Sequence, residues 1–210
     1  MTDPSADHPP LKGALHTHTT CSDGDLTPAE LLAVYRDLGF DFVALTDHDW
    51  LMRPDAYADV PDEFDGMLVY KGIERTVFSQ GYVHVNQIPA DAQGPNVLNI
   101  LNHPAQYYMT VKEVVDCIRD LESSLPIHAV DVTLKGFYTP EYDVDAIPYP
   151  KVATDDAHTR KGCGRAWVEV ACPKGHGAII QAVKNGLARI CYNQTARRSD
   201  WDGYGGLYDG

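Results

Sequence analysis

Nine side chains of the kind that bind metal ions are spread in small groups along this chain: His16 with His18, Asp23, His48, Glu74, His84, His103, and Asp156 with His158. Most stand at the ends of short apolar runs, as His48 does after Phe42-Val43-Ala44-Leu45. A fold that uses them together must bring the ends of those runs to one place. Imidazole and carboxylate are the donors that Zn, Mn and Fe prefer, and six histidines with three carboxylates exceed what one ion needs. More than one ion is therefore expected.

Local spacing supports convergence. In extended chain, residues i and i+2 point to the same side, so His16 with His18, and Asp156 with His158, each present two donors to one place. The loop Thr19-Thr20-Cys21-Ser22-Asp23-Gly24 returns a carboxylate toward the first pair, with Gly24 allowing the tight turn. An extended segment over 11–16 leads into this loop. A helix then opens with Thr27 as N-cap, Pro28 at the first helical position and Glu30 completing a capping box; Gly39 stops it.

The run 40–46 is continuously apolar, as in a strand buried on both faces, and this predicts a parallel sheet covered by helices. Further strands are expected over 67–73, 82–88, 97–101, 127–132, 151–154, 166–170 and 188–192. Helices are expected over 110–122 and over 176–185, the latter closed by Gly186. Alternation of this kind points to an α/β barrel or a wound α/β sheet, whose functional groups lie at the C-terminal ends of the strands.

A length of 210 residues, 44% of them hydrophobic, suits one domain over 11–197, preceded by a flexible polar stretch at 1–10 and followed by a Gly- and Asp-rich tail at 198–210. The formal charge of −13 disfavours extended nucleic acid as a partner. Five dispersed cysteines without a CxxC pair favour neither a disulfide framework nor a zinc knuckle. With no apolar run near the roughly 20 residues of a membrane span, a soluble cytoplasmic protein is expected.

The chain resembles the polymerase and histidinol phosphatase (PHP) superfamily of metal-dependent phosphoesterases. Four motifs carry the resemblance: His16-Thr17-His18 with Ser22-Asp23-Gly24, Leu45-Thr46-Asp47-His48-Asp49, Asn102-His103-Pro104, and Thr154-Asp155-Asp156-Ala157-His158. Lys71-Gly72-Ile73-Glu74 looks like the family's Gly-x-Glu, and His84 falls where another ligand is expected. The resemblance implies a distorted (β/α)7 barrel with two to three divalent ions, Zn, Mn or Fe, in a trinuclear centre at the strand ends. His16, His18, Glu74 and Asp156 would hold one ion. Glu74 would bridge to a second that also uses Asp23 or His103, with His48, His84 and His158 completing the cluster. Asp23 stands where some members of the family have a histidine.

Taken singly, a His-x-His or Asp-x-His pair is a weak signal, and His8, His128 and His176 read as surface or satisfied core residues. The complete ordered set is rarely produced by packing. Adjacent divalent ions lower the pKa of a shared water from about 16 toward about 7 and clamp phosphate oxygens. The expected activity is hydrolysis of a small phosphate ester, a metabolite such as histidinol phosphate or a nucleotide, by a water held at Glu74, Asp23 and His103, releasing inorganic phosphate. No Gly-x-Ser-x-Gly nucleophile motif suggests a covalent route. Asp47 and Asp155 are expected to orient imidazoles. Arg75, Arg160 and Arg165 are candidate substrate cations, and Tyr107 and Tyr108 candidate stacking rings. Two other readings compete: a 3′–5′ exonuclease-type PHP domain, and a non-catalytic module stabilised by metal.

Overall fold

The computed structural model describes residues 8–91 and 94–195. The expected tail at 198–210, and residues 1–7 of the expected flexible N-terminus, lie outside the described residues. In chain order the elements are β1 (Leu11–Ala14), α1 (Pro28–Asp37), β2 (Phe42–Leu45), β3 (Glu63–Phe64), β4 (Met67–Lys71), β5 (Ile73–Phe78), β6 (Tyr82–Pro89), β7 (Val97–Leu101), α2 (Val111–Leu121), β8 (Ala129–Asp131), β9 (Thr133–Leu134), β10 (Phe137–Tyr138), β11 (Lys151–Val152), β12 (Ala166–Val170), α3 (His176–Lys184) and β13 (Ala188–Tyr192).

The helices begin where the chain satisfies its own amides. Thr27 and Glu30 form a reciprocal capping box at α1, and Thr110 with Glu113 does the same at α2. The apolar face of α2, with Val114, Cys117, Ile118 and Leu121, packs on Val85, Leu101, Val130 and Val132 of the sheet beneath it. Ile179, Ile180 and Val183 of α3 join a second core with Phe42, Tyr70, Ile100 and Val168. Leu31, Leu32 and Tyr35 of α1 pack on Val43, Leu45 and Val69.

The strands form two main sheets, ordered β13-β12-β1-β2-β4-β3 and β11-β8-β7-β6-β5, with β9 and β10 as a separate hairpin. The parallel sheet expected from the apolar runs is corrected to mixed sheets. Pairs β1–β2, β2–β4, β7–β8 and β8–β11 are parallel, whereas β1–β12, β12–β13, β5–β6 and β6–β7 are antiparallel. The physical reason lies in the connections: β5 reaches β6 through Ser79-Gln80-Gly81, too short for a parallel crossover. The expected strand at 67–73 is likewise two strands. Gly72 is the joint between them, and a Cβ there would sit 2.7 Å from the Gln87 carbonyl oxygen, so only glycine lets the chain pass from one sheet to the other.

The described ladders do not close into one ring. The two sheets instead meet through single bridges, Thr17 with Ala157 and His48 with Glu74, beside the predicted donors. Backbone bonds from the His18 amide to the Ala157 carbonyl (2.9 Å) and from the Glu74 amide to the Asp47 carbonyl (3.0 Å) tie this seam. No helix among the described residues is long and apolar enough to cross a membrane.

Two positions expose the fold to test. Gly13 lies under the Phe42 ring, where a Cβ would come within 1.9 Å of its carbons, and Phe42 is buried and cannot yield. Gly13→Ala is expected to lower stability by about 1–3 kcal/mol in denaturant unfolding. Asp131, fully buried, accepts from the Thr133 amide (3.0 Å) and hydroxyl (2.6 Å) and from the Thr154 hydroxyl (2.7 Å). Burial nevertheless pushes its carboxyl up to about 7. A carboxyl raised in the folded state contributes stability at acid pH that is lost as pH rises from about 4, its unfolded value, through about 7. Asp131→Asn should flatten that fall, measured by unfolding across this range in chelator.

Candidate metal centre

Seven of the nine donors sit where β-structure runs out. Glu74, expected at a strand's C-terminal end, and His84 instead lie within the paired strands β5 and β6, because the chain re-enters a ladder directly after Gly72. Beyond β1 the chain stays extended through His16, Thr17 and His18, and alternation turns both imidazoles to one side, fully buried. The next loop folds back over them because Gly24 lies against the backbone of His18, its missing Cβ only 2.4 Å from the His18 carbonyl oxygen. This sets the Asp23 carboxylate 3.3 Å from His18 Nδ1 and 3.6 Å from His48 Nε2. Glu74 and His84 come from β5 and β6, His103 follows β7, and Asp156 and His158 follow β11.

Glu74 is the hub. Its Oε1 lies 3.2 Å from His16 Nε2, 3.1 Å from His84 Nδ1 and 3.2 Å from His103 Nε2; its Oε2 lies 3.3 Å from His18 Nε2 and 3.1 Å from His48 Nδ1. The Asn102 amide donates to Oε1 at 2.7 Å and to Asn86 Oδ1 at 2.8 Å, which fixes the carboxylate plane. Asp156 turns Oδ1 to His16 and His18 Nε2 at 3.3 and 3.2 Å. All nine predicted donors are thus brought together, in four overlapping groups: His18-Asp23-His48-His158, His16-Glu74-His103, His16-His18-Asp156 and His48-Glu74-His84. Asp23 and His103, alternatives for one ion in the sequence reading, fall in different groups.

Charge is concentrated here far beyond what burial alone tolerates. Burial would push the Glu74 carboxyl up, but the His16 and His84 imidazoles hold it well below the usual carboxylate range. Burial likewise opposes ionisation of Asp156, and the Lys135 ammonium with His16 outweighs it. Burial lowers His103 and His158, and takes His48 down to about 4. His18 is lowered by burial but raised more strongly by Asp156, Asp23 and Glu74.

The donor chemistry fits divalent ions. His16 Nε2 and His18 Nε2 face each other at 3.0 Å with carboxylate oxygens on either side, while the Nδ1 atoms of His16 and His103 are buried without a hydrogen-bond partner among the described residues. Imidazoles aimed at one another around carboxylates are what a cation organises. The backbone is strained in the same place: His103 (φ 27°) and Asp156 (φ 46°) are both non-glycine residues at positive φ.

The remaining predicted residues are placed elsewhere. Asp47 and Asp155, expected to orient imidazoles, instead hold loops. Asp47 accepts from the Thr19 amide and hydroxyl (both 2.7 Å), from Ser22 and from Tyr57; Asp155 accepts from the Tyr35 hydroxyl (2.7 Å) and the Gly164 amide (2.6 Å). Both fix the loops that carry donors. Arg75 sits on the face of β5 opposite Glu74 and donates to Gln87. Arg160 is exposed, and Arg165 is buried against the Phe137 ring. Tyr107 packs beside His84 and His103, whereas Tyr108 is exposed. His128 and His176 make backbone hydrogen bonds outside the centre. Asn86, Asn102 and Lys135 belong to the site and were not foreseen; only Asn102, beside His103 in its motif, carried a signal in the sequence.

No family model matches the chain. It is 31% identical over 169 residues to error-prone DNA polymerases of Mycobacterium bovis and Mycobacterium tuberculosis, covering 80% of this chain but only 14% of the polymerase. Among solved structures, a two-domain protein from Bacteroides vulgatus containing a predicted PHP-like metal-dependent phosphoesterase superposes with a TM-score of 0.64 at 22% identity, covering 89% of this chain and 66% of that one. PsfC from Pseudomonas syringae gives 0.61 at 13% identity, covering 88% and 92%. An amidohydrolase from Chromobacterium violaceum with bound sulfate gives 0.59 at 14% identity, covering 70% and 87%. The fold is that of a mixed α/β protein with a cluster of histidines and carboxylates where its sheets meet. It is shared with the Bacteroides vulgatus protein that contains a predicted PHP-like phosphoesterase.

Replacing the hub tests the centre directly. Glu74→Ala is expected to lower bound divalent metal after loading with Mn or Zn, counted by elemental analysis, while circular dichroism stays native. Unchanged metal content would remove Glu74 from the centre.

Proposed function

We propose that this chain is a metal-dependent phosphoesterase that hydrolyses small phosphate esters, metabolites or nucleotides, and releases inorganic phosphate. The observation that carries this reading is Glu74, whose two oxygens face separate sets of imidazoles, His16, His84 and His103 on one side and His18 and His48 on the other. Such a carboxylate suits a bridge between neighbouring ions. We count three positions by merging the two of the four groups that share Glu74: one at His16, His18 and Asp156, one at Glu74 with His16 and His103 or with His48 and His84, and one at His18, Asp23, His48 and His158. Divalent ions bound there would supply an acidified water at neutral pH and neutralise the phosphoryl oxygens. The side chains do the rest. Asn102 holds the Glu74 carboxylate, and the Asp47 and Asp155 contacts keep the donor-bearing loops in place, so little reorganisation is left for the reaction.

With β4 and β5 counted as one strand broken at Gly72, the seven strands β1, β2, β4–β5, β6, β7, β8 and β11 would make a distorted (β/α)7 barrel, the bridges at Thr17–Ala157 and His48–Glu74 being its closing joints. We read residues 11–197 as one such domain. Five free cysteines suit a reducing cytoplasm.

A second reading is favoured by one specific finding, the likeness to error-prone DNA polymerases: a polymerase-associated module in which the metals only stabilise the fold, or act in 3′–5′ exonuclease trimming. The net charge of −13 weighs against a long nucleic-acid track. A phosphate-release screen over sugar phosphates, nucleotides and histidinol phosphate, with added Mn or Zn, separates these. The esterase reading expects selective release that chelator abolishes and metal restores, and that His18→Ala eliminates. Metal binding without release from any ester would support the structural module. Shortening of single-stranded DNA would support the exonuclease.

A further inference from the structure

The cations expected near the substrate, Arg75, Arg160 and Arg165, are placed away from the donors or buried against other groups, yet one cation does reach the centre. Lys135 stands with Gly136 at the tip of the two-residue turn joining β9 to β10, and both have positive φ, 52° and 80°. Hairpin turns that need positive φ at both central residues favour Asn, Asp and Gly, and a lysine in the first place is sterically strained. Strain of this kind at a non-glycine residue is a pointer to function. The turn is also clamped from below: a Cβ on Gly136 would lie 2.5 Å from Arg165 Cβ, and Arg165 Nη1 approaches the Lys135 carbonyl at 3.5 Å. Arg165 is thus built into the support of Lys135.

The side chain does not run out to water as a turn lysine ordinarily would. It is 15% exposed, against 83% for Lys112 on α2, and its Nζ lies 2.9 Å from Asp156 Oδ2. Asp156 therefore divides its oxygens, Oδ1 to His16 and His18 and Oδ2 to Lys135. Nζ also lies 3.4 Å from His158 Nδ1, but that nitrogen faces the Asp156 carbonyl at 2.9 Å. A carbonyl only accepts, so Nδ1 carries the hydrogen and has no lone pair for Lys135. An ammonium has three hydrogens, and among the described residues Asp156 Oδ2 takes one. At least one remains for a ligand at the rim of the centre.

We infer that Lys135 is the substrate-anchoring cation of this centre, holding Asp156 by one oxygen and donating a remaining N–H to a phosphoryl oxygen of a phosphate ester. This rests on the phosphoesterase reading and names the residue on which that reading's selectivity for a dianion depends.

Titration of inorganic phosphate into the Mn-loaded protein by calorimetry tests it, with metal content counted for wild type, Lys135→Met and Lys135→Arg. Lys135→Met is expected to weaken phosphate binding by about tenfold or more, the loss of one charge-assisted hydrogen bond, in protein whose Mn content has been brought to the wild-type count. Lys135→Arg should recover much of it. On a hydrolysed ester, Lys135→Met should raise KM more than it lowers kcat. Phosphate affinity equal to wild type in Lys135→Met overturns the inference. So does a loss that extra metal fully restores, since Lys135 would then serve only Asp156. A wild type that neither binds phosphate nor releases it from any ester fails the phosphoesterase reading itself, and the inference with it.

Discussion

A carboxylate buried among five imidazoles is the constraint around which this structure is arranged. Glu74 is 1% exposed, and in that setting an ionised carboxylate survives only if cations or hydrogen-bond donors surround it. The chain meets that demand with residues from both sheets: His16, His18 and His48 beyond the strands of one, His84, His103 and Asn102 from the other. Gly72 lets β4 turn out of the first sheet so that β5 can carry Glu74 into the second. The loops held by Asp47 and Asp155 deliver what remains. Fold and centre are thus solved together, since neither sheet alone supplies the donors.

Much of this was legible in the chain because donors and apolar runs are local patterns. The capping box at Thr27 and Glu30, the buried run ahead of Asp47-His48, and the His-x-His pair depend on residues a few positions apart, and each appears where its spacing places it. Asp156, by contrast, is at positive φ rather than extended, and sends its carboxylate to a different donor group from His158. Strand direction was not legible. Apolarity records that a segment is buried, not whether its neighbour runs with it or against it, so the antiparallel hairpin of β5 and β6 was missed. The short β3, β9 and β10 were missed because two residues carry no period.

The partners of the loop-holding carboxylates were hidden for a different reason. Asp155 finds Tyr35 across 120 positions of sequence, and Asp47 finds Tyr57 across a loop with no regular pattern, so nothing near either carboxylate announces its partner. Lys135 in Leu134-Lys135-Gly136 has the appearance of an ordinary solvent turn. Its burial is decided by Arg165, which fills the space that the missing side chain of Gly136 leaves. Arg165 for its part looked like a free cation only while the hairpin above it was unknown.

The single bridges between the two sheets give the donor cluster a mechanical role. Away from the apolar core that the two sheets share, isolated backbone pairs join them, and the side chains that flank those pairs are the donors themselves. An ion held from both sides would rivet the seam, so that its departure would loosen the molecule at the donor end first. Such a rivet can be kept by selection after turnover has ceased. Retention of all the donors in a descendant therefore reports on cohesion of the two halves before it reports on chemistry.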